Sequence, residues 1–277
     1  MTVDGYKWRW AHVDQSGRAD RYLALLNQAH PDDDPARYPT TLAWIDPQPG
    51  EHILDVGCGN GAMACAVARQ VSGVRAVVAV DVSEAMIAHA RRLLAGRDLP
   101  VSFEIADAEH LPFPDETFDR CYATEIFVIL DDPHRALMEM GRVTRPGGRI
   151  CLWEADCDVR AMLGSDTALT RRLTRFVGDV EFNGDAGRQL IGWCKEQGWQ
   201  VAIVPGVGVS EHLSPWARVL LDEWLQDAVH AGVLTVEEEG QVRADVRQRL
   251  EQDLFFSYTV HFRITATKPG RPSSWES

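Results

Sequence analysis

The sequence predicts an α/β protein built around a doubly wound, mostly parallel β-sheet. Between about residues 51 and 154, short apolar runs of strand length alternate with segments whose apolar residues recur at helical spacing. Each connection is long enough for a helix that crosses back over the sheet, and such crossovers are right-handed. The chain has 277 residues, of which 45% are hydrophobic, so it is long enough to bury one large core.

The apolar runs predict seven strands, and the helical patterns predict the helices that connect and precede them. The strands are His52–Val56, Ala76–Asp81, Val101–Ile105, Phe118–Glu125, Arg149–Glu154, Trp199–Val204 and Phe256–Thr267. The helices are Arg18–Ala29, Met63–Val71, Glu84–Leu94, His134–Val143 and Gln189–Gln197.

Two further segments lie outside this core. Residues 1–50 are predicted to form a helical leader or lid that packs over the first strand. Residues 211–253 hold two helical patterns with an apolar face that includes Trp216 and Trp224, which predicts a helical cap inserted between the last two strands. The core then comprises residues 51–210 and 254–268, and residues 269–277 are predicted to be a disordered tail.

Composition limits the classes of partner. The formal net charge of −13 repels a phosphate-rich ligand, so nucleic acid is not expected, and a neutral or cationic ligand is favoured. The six cysteines include no CxxC pair, which predicts reduced thiols and no metal site. Without a signal-like or membrane-spanning apolar stretch, we expect a soluble, cytoplasmic protein that does not enter membranes, either a monomer or a homodimer.

The most informative segment is a glycine-rich turn that follows the first strand. In Ile53–Gly61, with the sequence Ile-Leu-Asp-Val-Gly-Cys-Gly-Asn-Gly, glycines without Cβ atoms let a ligand lie directly against the backbone. Gly57 and Gly59 with Ala62 also satisfy the relaxed dinucleotide fingerprint, and Asp81 stands where an acid binds ribose hydroxyls. The turn alone therefore leaves a nicotinamide enzyme open.

Two more acids favour a cationic ligand over a dinucleotide. Asp55, two residues before the first glycine, would repel a pyrophosphate but suits a ligand that carries an ammonium and a sulfonium. Asp107 follows the third strand, where a hydrogen bond to an exocyclic adenine amine is natural.

Two further blocks carry a resemblance to a known family. The segments Leu111–Asp119 and Glu139–Gly148, together with the glycine turn, resemble the class I S-adenosylmethionine-dependent methyltransferases, in the small-molecule branch that includes quinone and natural-product enzymes. The resemblance covers about residues 40–155. It implies a Rossmann-like, seven-stranded sheet whose last strand is antiparallel. It also implies methyl transfer to oxygen, nitrogen or carbon of a small molecule, such as a secondary metabolite or quinone-like compound.

The resemblance further implies the residues that bind S-adenosylmethionine. Asp55, Gly57 and Gly59 would hold the methionine part, with Thr124 and Glu125 beside its amine. The remaining contacts would be those of the nucleoside, with Asp81 on the ribose, Val82 against adenine, and Asp107 and Ala108 at the adenine edge.

Candidates for a base come from several segments. Glu154 and Asp156 leave the fifth strand at the edge where ligands bind, and either is able to act as a base or to bind a cationic acceptor. His12 and Tyr22 belong to an aromatic leader that also contains Tyr6, Trp8 and Trp10. Residues flanking the cap are a further group, namely His212, Tyr258 and His261, whereas His134 is predicted to lie at the surface.

Four alternatives stay open from the sequence. The same fold and cofactor would serve a non-methylating reaction such as a cyclisation. The glycine turn leaves a nicotinamide oxidoreductase, and the cysteines leave arsenic methylation. The last alternative is a binding protein without activity, which the complete set of Asp55, Asp81 and Asp107 disfavours.

Overall fold

The computed structural model describes residues 13–17, 19–29, 35–180, 183–210 and 215–271. Within these residues the chain forms one seven-stranded sheet covered by helices on both faces. No helix in this part of the chain has the length and apolar character needed to cross a membrane.

The sheet has the strand order β3-β2-β1-β4-β5-β7-β6, and β7 is antiparallel to both of its neighbours. This order confirms the predicted doubly wound, Rossmann-like sheet with an antiparallel last strand. The strands are β1 His52–Val56, β2 Ala76–Asp81, β3 Val101–Ile105, β4 Phe118–Thr124, β5 Thr144–Met162, β6 Gln200–Ser210 and β7 Ser257–Thr267.

The helices also follow the predicted pattern in the first half of the chain. They are α1 Ala19–Ala29, α2 Pro39–Ile45, α3 Ala62–Gln70, α4 Glu84–Leu94, α5 Pro133–Val143, α6 Thr167–Val180, α7 Ala186–Glu196, α8 Pro215–His230 and α9 Val236–Glu251. Short 3₁₀ turns lie at Pro35–Arg37 and Phe127–Ile129. Helix α6 was not predicted.

Side chains of the central strands alternate between two buried cores. Ile53 points to the face covered by α2, α3 and α4, whereas Leu54 points to the face covered by α5 and α7. Because both faces are covered, β1 and β2 are almost fully buried, which is why they read as continuous apolar runs in the sequence.

Strand β5 is much longer than the predicted Arg149–Glu154. It continues to Met162 because its antiparallel partner β7 extends the ladder beyond the end of the parallel strands. The ladder is irregular there: Asp156 pairs with Val260 and Ala161 with Tyr258, so β5 advances five residues while β7 advances two. Such a bulge redirects the side chains of the longer strand.

A third core lies beyond this end of the sheet. It joins α6, α8 and α9 through buried residues such as Leu173, Leu225 and Val242. The segment expected to form the cap, residues 211–253, contributes α8 and α9, while α6 comes from the segment expected to belong to the sheet domain. A smaller cluster packs Tyr22 and Leu25 of α1 against Met86 of α4.

Candidate active site

A cavity of about 640 Å³ lies at the carboxyl ends of the parallel strands. Its walls come from the glycine turn after β1, from the ends of β2, β4 and β5, from α1, and from α6 and α8 of the third core. Open α/β sheets bind ligands at this edge, so the cavity is the candidate active site.

The glycine turn forms one wall of the cavity with bare backbone. Gly57, Gly59 and Gly61 have φ angles of 77°, 52° and 79°, a region that favours glycine. A Cβ atom on Gly57 would lie 2.4 Å from Cγ2 of Ile126, and one on Gly59 would lie 3.3 Å from a methyl group of Leu26 in α1. A side chain at Gly57 would overlap Ile126, whereas one at Gly59 would be tight against Leu26, and both residues line the cavity.

Asp81 joins the glycine turn to the second strand. One carboxylate oxygen accepts the N–H of Gly59 and the other accepts the N–H of Ser83, both at 2.9 Å. Burial raises the pKa of Asp81, and these backbone donors oppose the rise. The carboxylate is held in one orientation at the cavity wall beside Val82, an exposed apolar side chain.

Four more predicted cofactor residues also line the cavity: Asp107, Ala108, Thr124 and Glu125. Asp107 accepts the N–H of Glu109 at 2.8 Å and pairs with His110 at 2.9 Å. Glu125 ends β4 one residue earlier than predicted because its φ angle of 56° leaves the strand region. This left-handed conformation is costly for glutamate and marks a position held by its surroundings.

Asp55 lies in a different place from the other predicted cofactor residues. It is buried beneath the turn and does not line the cavity, and the hydroxyl of its cross-strand neighbour Tyr122 donates to it at 2.7 Å. Burial raises the pKa of Asp55 to about 7, against the opposing hydrogen bond from Tyr122. A ligand in the cavity would therefore not contact this carboxyl group directly, because the backbone of the turn would lie between them.

The charges around the cavity are unevenly distributed. Six carboxyl groups line it, whereas Arg160 is the only arginine or lysine among the described lining residues. Four of the acids, Asp81, Asp107, Glu109 and Glu125, lie in or next to the segments that end the parallel strands. This part of the site therefore fits a ligand with positive charge and ribose hydroxyls, as the predicted cofactor has.

Glu154 is fully buried at the cavity wall. Its oxygens accept the backbone N–H of Phe127 at 2.7 Å and that of Ala155 at 2.9 Å. Burial raises its pKa to about 8, and the nearby charge of Glu125 adds to the rise. The carboxyl group is thus fixed in position and holds its proton near neutral pH.

The other predicted bases lie elsewhere. Asp156 is buried outside the cavity lining, where both of its oxygens accept from Nη1 of Arg188 at 2.7 Å. Tyr22 is buried in the cluster between α1 and α4 and also does not line the cavity. His12 falls outside the described residues, as do Tyr6, Trp8, Trp10 and His212. His134 is exposed on α5.

One polar pair was not predicted as a pair. His261 of β7 lines the cavity, and its Nε2 lies 3.4 Å from a carboxylate oxygen of Glu125. The ring of Trp153 stands edge-on to His261 with centroids 6.1 Å apart. Tyr258, on the same strand, does not line the cavity. The spacing of Tyr258 and His261 along β7 predicted that their side chains lie on opposite faces of the strand. Nothing in the sequence linked His261 to Glu125.

Comparison with known proteins identifies the family. A family model described as a methyltransferase domain matches residues 54–152, the segment that contains the glycine turn, Asp81, Asp107 and Glu125. An O-methyltransferase of Pyrenophora dematioidea is 37% identical over 189 residues, which cover 67% of both chains. This chain belongs to the class I S-adenosylmethionine-dependent methyltransferases. The cofactor of this family is S-adenosylmethionine.

Other similarities agree with this membership. An O-methyltransferase of Aspergillus sclerotiorum is 34% identical over 163 residues, covering 57% of this chain and 58% of that protein. The chain spans about half the length of most curated relatives it matches. A phosphoethanolamine N-methyltransferase of Haemonchus contortus, solved with S-adenosylhomocysteine, is 17% identical with a TM-score of 0.60, covering 97% of this chain and 61% of that chain. The last similarity concerns the fold alone.

Proposed function

We propose that this methyltransferase transfers the methyl group of S-adenosylmethionine to a hydroxyl oxygen of a small molecule bound under the helices α6 and α8. The observation that carries the proposal is one continuous cavity: the residues of the family's cofactor motif line one part, and apolar residues of the third core line the other. The matched O-methyltransferases support oxygen as the acceptor atom.

S-adenosylmethionine, when bound, supplies an electrophilic methyl group on a positively charged sulfur. Gly57 and Gly59 line the cavity, where their backbone would contact the methionine part. The fixed carboxylate of Asp81 has free lone pairs for two ribose hydroxyls. Asp107 and Ala108 would bind the adenine edge. The surrounding acids compensate the positive charge of the sulfonium.

Apolar side chains form much of the acceptor part of the cavity. Leu173, Val177, Leu221 and Trp224 line it with apolar surface, which suits an aromatic or polycyclic skeleton. Displacement at a sulfonium has a good, neutral leaving group, so the protein mainly has to align the nucleophile and remove solvent. We assign the lid role to residues 1–50 and the cap role to residues 211–253, because Leu26 and Leu221 line the same cavity.

A hydroxyl acceptor must lose its proton, and His261 is the base that we propose. Its imidazole lines the cavity, and the carboxylate of Glu125 at 3.4 Å is positioned to orient the ring. Glu154 holds the turn at Phe127 through its backbone hydrogen bond, so we assign it as a positioning residue for Glu125 and the turn. The reaction would take place in the cytoplasm, on an acceptor other than nucleic acid.

The proposal is tested with methyl-labelled S-adenosylmethionine and a panel of hydroxylated aromatic acids, quinols and polyketides. His261→Gln is expected to lower kcat about 100-fold or more, with the Kd for S-adenosylhomocysteine changed less than about threefold. His134→Gln, an exposed histidine outside the cavity, is the matched control and should leave both values unchanged.

Four outcomes contradict the proposal. Full activity of His261→Gln would show that His261 is not the base. Label recovered on nitrogen or carbon would show that the acceptor atom is not oxygen. Consumption of an acceptor without transfer of label, in a cofactor-dependent reaction, would favour the alternative of a cyclisation. Binding of NADH in place of S-adenosylhomocysteine would instead revive the oxidoreductase.

A further inference from the structure

We propose that the acceptor carries an anionic oxygen, such as a carboxylate, and that Arg160 binds it in the cap-side part of the cavity. The inference rests on the proposed function and deepens it by assigning the charge class of the substrate. The sequence favoured a neutral or cationic ligand because the net charge is −13. That charge describes the whole molecule, whereas the charged side chains in the cavity are distributed differently.

Arg160 has an incomplete set of hydrogen bonds. Its Nε donates to Oγ1 of Thr259 at 3.2 Å, and its Nη2 donates to the sulfur of Cys157 at 3.5 Å. Its Nη1 is buried and has no hydrogen-bond partner among the described residues. Buried polar groups in proteins are nearly always paired, so a buried guanidinium nitrogen in a cavity wall with no partner indicates the position of a ligand acceptor group.

None of the acidic side chains that the structure describes neutralises Arg160. In the described part of the chain, no carboxylate lies within ion-pair distance of its guanidinium. Other arginines near the sheet do have such partners, such as Arg188 with Asp156 and Arg120 with Glu51. Because a desolvated cation is normally paired, the missing anion is expected to arrive with the substrate.

The guanidinium is held in place rather than free to turn away. It stacks 4.5 Å from the ring centroid of Trp224 in α8, and its contacts with Thr259 and Cys157 fix the other side. Arg160 lies within the bulge of β5 between Asp156 and Ala161, where the strand directs its side chains toward the cap. A prepared cation of this kind loses little conformational freedom on binding an anion.

The two parts of the cavity therefore have opposite charge. Acids line the part assigned to the cationic cofactor, and Arg160 provides the single described cation on the wall near Trp224 and Leu173. A substrate with an apolar skeleton, a hydroxyl group and an anionic oxygen matches this arrangement: the skeleton contacts the apolar wall and the anion pairs with Arg160. A cationic acceptor would instead leave Nη1 unpaired beside a like charge.

The test compares an acid with its neutral ester. Calorimetry measures binding of 3-hydroxy-2-naphthoate and of its methyl ester to the 277-residue chain saturated with S-adenosylhomocysteine. The wild-type protein is expected to bind the acid about 10- to 100-fold more tightly than the ester. In Arg160→Met the ratio should fall to about one, while Arg160→Lys should retain a clear preference for the acid.

Wild-type protein that binds the ester as tightly as the acid, or binds neither, overturns the inference, and so does an unchanged preference in Arg160→Met. Binding of S-adenosylhomocysteine to each variant, together with its melting temperature, shows whether the protein is folded and the cofactor part intact. These outcomes differ from failure of the proposed function, which is seen as the absence of methyl transfer to any acceptor while S-adenosylhomocysteine still binds.

Discussion

Replacing Glu154 with glutamine tests how burial controls this site. Glu154 is fully buried, and its pKa is raised from 4.5 to about 8, first by burial and then by the charge of Glu125. Glutamine keeps the size of the side chain but cannot ionise. It offers one oxygen where the carboxyl group receives two backbone N–H donors, from Phe127 and Ala155.

The raised pKa gives a definite sign to the pH dependence of stability. In the unfolded chain Glu154 ionises near pH 4.5, whereas in the folded protein it keeps its proton until about pH 8. The folded state therefore binds more protons over this interval, so stability falls as the pH rises through it. Each pH unit is worth about 1.4 kcal/mol, so between pH 5 and pH 8.5 the loss is about 4 kcal/mol.

The assay is urea unfolding of the wild-type protein and Glu154→Gln at pH 5, 7 and 8.5. Asp55 and Asp81 also have raised pKa values, but they are present in both proteins and cancel in the difference. We expect the wild-type protein to be the more stable at pH 5, by about 1–3 kcal/mol for the lost hydrogen bond. This advantage should vanish or reverse by pH 8.5. A difference that stays constant across the three pH values would show that folding does not raise the pKa of Glu154.

Three further substitutions test the cofactor part of the site. Asp81→Asn should weaken S-adenosylhomocysteine binding about 10- to 100-fold by calorimetry, and an unchanged Kd would contradict the assigned ribose contact. Gly57→Ala should lower the melting temperature by more than Gly96→Ala. Both glycines have a φ of 77°, but only at Gly57 would the new Cβ atom meet a side chain, at 2.4 Å. Equal melting temperatures of the two variants would argue against a crowded turn. Tyr122→Phe removes the hydrogen-bond donor to Asp55 and should lower the free energy of unfolding by about 1–3 kcal/mol. The loss should be larger at pH 8 than at pH 6, because Asp55 is protonated at pH 6 and its hydrogen bond with Tyr122 is then weaker. Equal losses at the two pH values would refute this reasoning.

Local patterns were sufficient for several elements in the parallel half of the sheet. The predicted bounds of β1, β2 and β3, and of the helix Glu84–Leu94, agree with the structure residue for residue. Parallel strands with helices on both faces must be apolar throughout, and α4 has a serine N-cap, Ser83, followed by apolar residues at helical spacing. The glycine turn is likewise predictable from the sequence, because its positive φ angles and close contacts favour glycine.

The sequence by itself determined the fold class, the cofactor turn and the family, since each depends on residues close together in the chain. Only the tertiary structure decided how distant segments meet. Antiparallel pairing with β7 extends β5 and brings His261 to within 3.4 Å of Glu125. Arg160 lies in the bulge after Asp156 and stacks on Trp224, whereas Asp156 forms an ion pair with Arg188. These contacts join residues from about 30 to more than 130 positions apart, and their geometry depends on strand register and burial, which no local pattern of residue types records.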